Sequence, residues 1–417
     1  MAFKKRRRLH VQRSLTAAPN TPKQVSKLAI QGLKPTKLLW LFIFAMSFLR
    51  NFFGTSAVAA KDEKTPIRAL PASWYTSEAM YQLERRSIFA RKWLLTTHKH
   101  RVPNAGDWVQ YDAAGYAFVV VKDHHENINA FHQHNLSPIH VHIDRNGFIW
   151  VNLDSAETPE VAWKDDFDGV DEQPRFQHYN FDQYVFDHTW DMEGDFNWKI
   201  LADNYNECYH CQVAHPDIPT IADLNSYYVK TKDGHIQHYG AQRPDQIEKG
   251  FRIATTYFWP NASCNVSPNF FFMQRFTPLS PTKSVMRYEV YRHKDATDED
   301  FNLISDMYKR IMSEDKYLCI HTQKNLNAGV FINGQLHPEM EKGPLHFQKT
   351  VRDVVTEHRK KEEIAGHEIW PAQQTLPKNA AVNQEDIAFR TGTDNYISGK
   401  NELTDTLSGN HAVAIAV

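Results

Sequence analysis

Five short runs of alternating apolar and polar residues, all between residues 108 and 153, constrain the fold of this chain more than any other feature. Residues rich in Asn, Asp and Gly separate several of the runs, for example at 104–107 and 144–147. Alternation with a period of two is typical of strands, and such short connections favour antiparallel neighbours. The runs, at 108–111, 117–122, 128–131, 139–143 and 148–153, therefore predict a small antiparallel β domain.

A second and larger region, from about residue 184 to residue 358, contains longer strand patterns and two helical patterns. The strands and the helices are segregated rather than alternating, which favours an α+β fold over a doubly wound one. The last stretch is polar and aperiodic, so we expect it to be disordered. The predicted domains are a β domain at 65–160, an α+β domain at 161–364 and a disordered tail at 365–417.

The first 61 residues contain twelve Lys or Arg and no Asp or Glu, which sets them apart as a leader of about 64 residues. An apolar run at 38–49 is interrupted by Arg50 and is short for a bilayer, which needs about 20 apolar residues. Three interpretations remain open: a transit or signal segment, a membrane anchor, or a wrongly assigned start. We expect a mitochondrial or cytoplasmic protein whose membrane contact, if any, involves residues 38–60.

The remaining residues carry 36 basic and 49 acidic side chains, a formal charge of about −13. A negative body disfavours nucleic acid, whose phosphates bind Lys and Arg, and mildly favours a small cationic substrate. The chain has four cysteines, at 208, 211, 264 and 319, too few for a disulfide framework in a chain of 417 residues. A reducing compartment is consistent with this number.

The stretch at 197–216 carries most of the chemistry. On one continuous helix Asp203, Glu207 and His210 would share a face, because they are four and three residues apart. His215 lies five residues after His210 and would point away on the same helix. Both histidines reach one ion only if the helix ends or distorts between them. Pro216 favours this, because it disfavours helical geometry in the residue before it.

Two imidazoles and one carboxylate with open positions form the facial arrangement of oxygen-activating Fe(II) sites. We expect the third ligand from a distant helix, and Asp315 is the candidate. A zinc site built from these histidines together with Cys208 and Cys211 is an alternative, but the interleaved spacing does not match the usual zinc patterns. A purely structural role for both histidines is the other alternative.

The segment 203–211 followed by His215-Pro216 resembles the iron-site motif of Rieske oxygenase α subunits, and the resemblance extends over about residues 65–358. Segments 140–153 and 323–329 add to it and are most similar to the choline monooxygenase-like branch. The resemblance implies a truncated Rieske-like β domain followed by a helix-grip catalytic domain. It also implies that His210, His215 and Asp315 ligate a mononuclear Fe(II).

By the same resemblance, Glu207 connects the iron site to the cluster of a neighbouring subunit, which implies a homotrimer. Asp203 would support the ligand helix. The implied reaction oxidises choline to betaine aldehyde, which is the first step of glycine betaine synthesis. It uses O2 and electrons from a reductase or ferredoxin. Carnitine or another betaine is an alternative substrate. Aromatic faces bind quaternary ammonium groups, so Tyr257, Trp259 and Phe271 are candidate pocket residues.

The chain departs from the family at the Rieske cluster. A [2Fe–2S] Rieske centre needs two cysteines and two histidines. The family places them between the strands that correspond to those at Phe131 and Ile139, where this sequence has seven residues and no cysteine. We therefore assign no cluster-binding residue and expect impaired activity. A skipped exon or faulty gene prediction, a natural variant without the cluster, and a non-catalytic remnant all remain possible explanations.

Overall fold

The computed structural model describes residues 68–248 and 252–374. The predicted leader at 1–64 and residues 375–417 of the predicted tail lie outside this described part. Within it, no helix combines the length and the apolar character needed to cross a bilayer.

The first sheet has six antiparallel strands in the order β1-β6-β5-β4-β3-β2. Strands β2 to β6 follow one another as a meander, and β1 pairs with β6 along the other edge. The predicted antiparallel sheet is confirmed, and β1 is a strand that the alternation pattern missed. The strands are β1 Leu94–His98, β2 Trp108–Ala113, β3 Tyr116–Lys122, β4 Ile128–His132, β5 Pro138–Ile143 and β6 Phe148–Asn152.

The second sheet has seven antiparallel strands in the order β7-β13-β12-β11-β10-β9-β8. Strands β8 to β13 form a continuous meander, and β7 closes the sheet against β13. The strands are β7 Tyr184–Gly194, β8 Ala222–Lys232, β9 His235–Gln242, β10 Ala254–Phe258, β11 Ala262–Val266, β12 Phe270–Ser280 and β13 Lys283–His293.

Three helices of the described part form one layer beside this second sheet, in which α3 contacts α7, α8 and β12. Helix α7 begins after Thr297, whose side chain accepts a hydrogen bond from the Asp300 backbone N–H at 3.1 Å, a typical N-cap. The predicted α+β fold is confirmed. The helices are α1 Glu78–Glu84, α2 Trp163–Phe167, α3 Trp198–Tyr205, α4 Cys211–Ala214, α5 Ile218–Ile221, α6 Pro244–Glu248, α7 Asp298–Asn327 and α8 Lys342–Ala365.

The two sheets share a core that is pinned by one buried carboxylate, Glu289 of β13, which is 1% exposed. Thr97 and Tyr111, from the first sheet, donate hydrogen bonds to it at 2.6 and 3.0 Å. Tyr291 and Arg275 donate at 2.9 and 3.2 Å from its own sheet. A buried charge is costly unless it is paired in this way. The network therefore fixes one sheet against the other.

The residues just after α8 pack on the body. The Ser155 backbone N–H donates to the Pro371 carbonyl at 2.8 Å, and His358 Nε2 lies 3.0 Å from the Ile369 carbonyl. The first residues of the predicted tail, up to Gln374, thus belong with the folded body. The predicted boundary at 160/161 falls between the two sheets, and the division of the chain into domains stays a prediction.

Candidate metal centre

Three donor atoms converge on one point between α4 and α7. His210 Nε2 lies 3.2 Å from His215 Nε2 and 3.3 Å from Asp315 Oδ1, and His215 Nε2 lies 3.1 Å from the same oxygen. Ligand atoms about 2.1 Å from an ion and at right angles to each other are about 3 Å apart. The three side chains named from the sequence therefore fit one ion on a single face, with the opposite face open.

The backbone reaches this geometry by a route that differs from the helical-face prediction. Helix α3 ends at Tyr205, so Glu207 and His210 lie beyond it and do not share a helix face with Asp203. His210 immediately precedes the short helix α4. His215 has φ −120° and ψ 89°, outside the helical region, as expected for a residue that precedes proline. The turn at 206–210 and the short helix α4, rather than one distorted helix, bring the imidazoles together.

A close contact fixes where α3 ends. A Cβ atom on Gly343, the second residue of α8, would lie 2.0 Å from the backbone oxygen of Asn206. Only glycine permits α8 to begin this close to the chain that leaves α3. The side-chain Nδ2 of Asn206 in turn donates to the Ala202 carbonyl at 2.8 Å. Helix α8 therefore holds the segment that leads directly to Glu207.

Carboxylates orient both imidazoles. Glu207 Oε1 lies 2.5 Å from His210 Nδ1, and Glu314 Oε2 lies 2.8 Å from His215 Nδ1. Ionised carboxylates only accept hydrogen bonds, so each Nδ1 carries the proton and each Nε2 faces the centre. Asn204 donates to Asp315 Oδ1 at 2.7 Å and orients the third side chain.

Sequence reasoning did not assign the orienting roles of Glu314 and Asn204. Both are neighbours of assigned residues, next to Asp315 and Asp203 respectively. Their adjacency was the available signal, but a residue beside a ligand on a helix ordinarily points elsewhere. Only the angle at which α7 crosses α3 and α4 brings Glu314 to His215.

The electrostatics of the metal-free centre favour protons on the imidazoles. Burial alone lowers the pKa of His210, but its hydrogen bonds to Asp315 and Glu207 outweigh this and raise it to about 9. For His215, the hydrogen bond to Asp315 likewise outweighs burial and raises the pKa. Burial raises the pKa of Asp315, and the two histidines more than offset this and lower it to about 2. Protons on the imidazoles therefore occupy the place where a cation fits.

Asp203 is held by side chains from two other segments of the chain. It accepts hydrogen bonds from Tyr75 Oη at 2.7 Å and from Gln348 Nε2 at 2.9 Å. Burial raises its pKa to about 7. Among the described residues, Asp203 therefore ties α3 to α8 and does not contact His210 or His215, and its supporting role stays a prediction.

A cavity of about 220 Å³ opens beside the three candidate ligands. Besides the candidate ligands, its wall includes tyrosines from four elements, His238, and the carboxylates of Glu207 and Asp223. His238 is neutral at pH 7, because burial lowers its pKa to about 3. The cavity thus combines aromatic faces with negative charge. The aromatic wall residues are Tyr205, Tyr227, Tyr239, Tyr308 and His238.

The three aromatic residues named from the sequence do not line this cavity. Tyr257 and Trp259 are buried, and Phe271 stacks on Tyr291 with ring centroids 4.4 Å apart, in the core shared with the first sheet. Phe270 and Phe272, the neighbours of Phe271, face the other way and contact Tyr308 of the cavity wall. Alternate residues of a strand face opposite sides, and both faces of β12 are buried, so the residue pattern did not show which side faces the cavity.

Cys208 and Cys211 are joined by a disulfide, whereas Cys264 and Cys319 are buried and free. A zinc site needs thiolate sulfurs, which these two residues do not offer while they are bonded to each other. The disulfide lies within the segment that carries His210, and both cysteines border the cavity.

The residues present do not fit a Rieske cluster. Strands β4 and β5 are joined by five residues, 133–137, in a closed hairpin in which the His132 amide donates to the Ser137 carbonyl at 2.9 Å. The loop contains one histidine and no cysteine, where four ligands are required. Leu136 at its tip has φ +54° and is 66% exposed. No described residue of this hairpin replaces the missing thiolates.

Comparison with known proteins agrees with the site. Residues 181–252 and 239–357 match the family model of the ring-hydroxylating α subunit catalytic domain. The carnitine monooxygenase oxygenase subunit of Escherichia coli K12 is 22% identical over 62% of this chain and 84% of its own length. The chloroplastic choline monooxygenase of Atriplex hortensis is 23% identical over 72% of this chain and 80% of its own.

Solved structures show the same fold. A quaternary ammonium Rieske monooxygenase crystallised with L-carnitine has a TM-score of 0.61 at 20% identity, and the match covers 69% of this chain and 96% of that one. The naphthalene 1,2-dioxygenase of a Rhodococcus species has a TM-score of 0.54 at 15% identity, over 69% of this chain and 95% of that one. The fold and the matched domain are those of an oxygenase α subunit. Residues 181–357 therefore match the catalytic domain of a ring-hydroxylating α subunit, and the chain is similar to Rieske-type oxygenases.

Proposed function

We propose that this chain is the oxygenase subunit of a quaternary ammonium monooxygenase, with choline as its substrate. The observation that carries the proposal is the convergence of His210, His215 and Asp315 beside a cavity with aromatic and acidic walls. The donor set of two imidazoles and a carboxylate suits Fe(II) and leaves one face open for O2 and substrate. Fe(II) bound there would supply the activation of O2.

The wall of the cavity suits a quaternary ammonium group. Such a cation has no hydrogen-bond donors on nitrogen and is held by aromatic faces and nearby negative charge. Tyr239 is already engaged, because the guanidinium of Arg175 and the ammonium of Lys230 each lie 4.9 Å from its ring centre. Tyr205, Tyr227 and Tyr308 are therefore the residues we assign to the cation. Relatives that act on carnitine, choline and glycine betaine support this class of substrate.

Each residue near the centre has a distinct role in this proposal. Glu207 holds His210 in the orientation that faces the ion and offers a carboxylate that accepts a proton beside the cavity. Glu314 does the same for His215 from the side of α7. Asn204 holds Asp315, and Asp203 supports α3 from behind. We further propose a homotrimer in which Glu207 connects the iron site to a neighbouring subunit, with electrons from a reductase or ferredoxin.

Metal binding is the first test. The purified chain is expected to bind about one Fe(II) under anaerobic conditions, measured by elemental analysis after desalting. His210→Ala and His215→Ala are expected to abolish binding and Asp315→Ala to weaken it. His321→Ala is the matched control, because His321 lies on α7 six residues after Asp315 and is exposed. Bound zinc that depends on Cys208 and Cys211 would show that the iron assignment is wrong.

Turnover is the second test. Because this chain has no cluster ligands, peroxide is used: it carries oxygen that is already reduced by two electrons. Choline and peroxide are expected to give betaine aldehyde hydrate and water, detected by mass spectrometry, and His210→Ala is expected to remove the product. Inserting a cluster-binding block between His132 and Pro138 is expected to restore product with O2 and a reductase.

The missing cluster ligands favour a second candidate, a non-catalytic chain that keeps the fold and binds the cation without turnover. Choline binding measured by calorimetry, without product from peroxide in the Fe(II)-loaded chain, would favour this candidate.

A further inference from the structure

The disulfide between Cys208 and Cys211 encloses one of the candidate metal ligands. The two Cα atoms are 5.0 Å apart, and the four-residue loop contains His210. Cys-x-x-Cys is the spacing of dithiols that cycle between reduced and oxidised states, since the short loop closes and opens readily by thiol–disulfide exchange. Cys264 and Cys319 are buried and unpaired, so they serve as internal references.

The inner sulfur lies against the metal centre. Cys211 Sγ is 4.0 Å from His210 Nε2, the same nitrogen that faces His215 and Asp315. The nearest ligand atoms of His210, Cys211 and His215 all lie within 4.8 Å of one another. An electron that leaves Cys211 Sγ would therefore cross about the length of one imidazole side chain to reach a bound ion. No further side chain is needed to relay it.

Cys208 is the more exposed residue of the pair. Cys211 is 4% exposed, whereas Cys208 is half-buried and precedes Tyr209, which is 68% exposed. External thiols attack the more accessible sulfur of a disulfide. The pair thus has one sulfur that an external thiol reaches and one that faces the centre, which is the arrangement needed to pass electrons inward.

We propose that Cys208 and Cys211 form a dithiol that supplies the two electrons of the oxygenase reaction in this chain. The inference rests on the proposed function. In the balanced reaction choline, O2 and the dithiol give betaine aldehyde hydrate, water and the disulfide. One oxygen atom enters a C–H bond of the substrate, and the other leaves as water with the two thiol protons. The two S–H bonds break, the S–S bond forms, and a low-molecular-weight thiol reduces it again.

A single-turnover experiment tests the proposal on the full chain. The Fe(II)-loaded protein is reduced with dithiothreitol, freed of it by anaerobic desalting, and mixed with O2 and choline. The expected result is about one product molecule per chain and the loss of two alkylatable thiols, mapped by mass spectrometry to Cys208 and Cys211. The disulfide form under the same conditions is expected to give less than a tenth of this yield. Cys208→Ser is expected to lower the yield of the reduced form at least tenfold, and Cys319→Ser to leave it unchanged.

Three outcomes would overturn this proposal alone, and a fourth would overturn the proposed function together with it. Product without thiol loss would show that the electrons come from elsewhere. Equally fast thiol loss in His210→Ala would show oxidation that is independent of the metal centre. Product from peroxide with the disulfide form, but none from O2 with the reduced form, would refute the dithiol while leaving the proposed function intact. No product from peroxide would refute the proposed function itself, and the inference with it. Because the reduced and disulfide forms are the same chain, the comparison does not depend on how a variant folds.

Discussion

Metal binding to this centre is expected to displace protons and to tighten steeply with pH. Imidazoles bind metals only when Nε2 is neutral, so a proton there competes with the ion. In the metal-free protein the hydrogen bonds to Asp315 and Glu207 outweigh burial and raise the pKa of His210 to about 9. His215 is raised in the same direction, again because the hydrogen bond to Asp315 outweighs burial. At neutral pH His210 is therefore expected to hold a proton that the metal must replace, and the raised pKa of His215 acts in the same direction.

The size of the effect follows from the His210 pKa. With a pKa of about 9, about one molecule in 100 has a neutral His210 at pH 7, so apparent affinity there is about 100-fold below its high-pH limit. Affinity should rise about tenfold per pH unit from this residue alone. The shift from 6.5 to about 9 also stabilises the metal-free fold by about 3 kcal/mol below pH 6.5, and this contribution is lost as the pH rises through 9.

The assay is an anaerobic Co(II) titration at pH 6.5, 7.25 and 8.0, followed by calorimetry in two buffers with different ionisation enthalpies. Between one and two protons should be released per ion. Glu207→Gln removes one of the carboxylates that raise the pKa of His210, so its pH dependence should shift to lower pH. Glu299→Gln, exposed in the first turn of α7, is the matched control. An affinity that changes less than twofold over this range would refute the reasoning.

Four further outcomes are expected. The chain should show neither [2Fe–2S] visible absorption nor a Rieske-type paramagnetic signal after reduction, because the ligands are missing. In denaturant unfolding, Lys199→Met should lower the free energy of unfolding by about 3–5 kcal/mol, because it leaves the fully buried carboxylate of Glu84, 2.6 Å from Lys199 Nζ, without its partner. Adding Glu84→Leu should recover part of this loss. Gly343→Ala should cost about 1–3 kcal/mol against the Asn206 backbone. Leu136→Asn should stabilise by about 1 kcal/mol in the same measurement, because Asn tolerates positive φ.

Strand patterns predicted more of this fold than helix patterns did. The strand patterns between residues 108 and 153 correspond to strands β2 to β6; β2 to β5 mix buried and more exposed positions, whereas β6 is buried throughout and was marked by the turn residues before it. Strand β1 is buried at all five positions, and its sequence, Leu-Leu-Thr-Thr-His, shows no alternation of apolar and polar residues. For the same reason the sequence did not distinguish Phe271 from its neighbours on β12, where the residues from 270 to 274 are all buried.

Residue type and spacing pointed to the convergence of His210 and His215, and the family resemblance pointed to Asp315, whereas the support of these side chains depends on contacts between distant segments. That the three residues bind a metal stays a prediction. His210 and His215 are five residues apart on either side of a four-residue helix, and Pro216 indicates where that helix ends. Helix α3 ends at Tyr205 because Gly343 admits α8 against the next residue, and no local pattern near 205 encodes a glycine 138 positions later. Tertiary contacts therefore determine where α3 ends, whereas residue periodicity predicted that the helix continues past Tyr205.

The charges around the centre explain why protons and a divalent ion replace each other there. Glu207, Glu314 and Asp315 bring three negative charges to two imidazoles. With both imidazoles protonated the net charge is −1. With both imidazoles neutral and one divalent ion bound, the net charge is again −1. Exchanging two protons for one ion therefore leaves the field on α3, α4 and α7 nearly unchanged, so the centre keeps its geometry in both states. A single carboxylate-to-amide change breaks this balance, which is why Glu207→Gln tests the whole arrangement rather than one hydrogen bond.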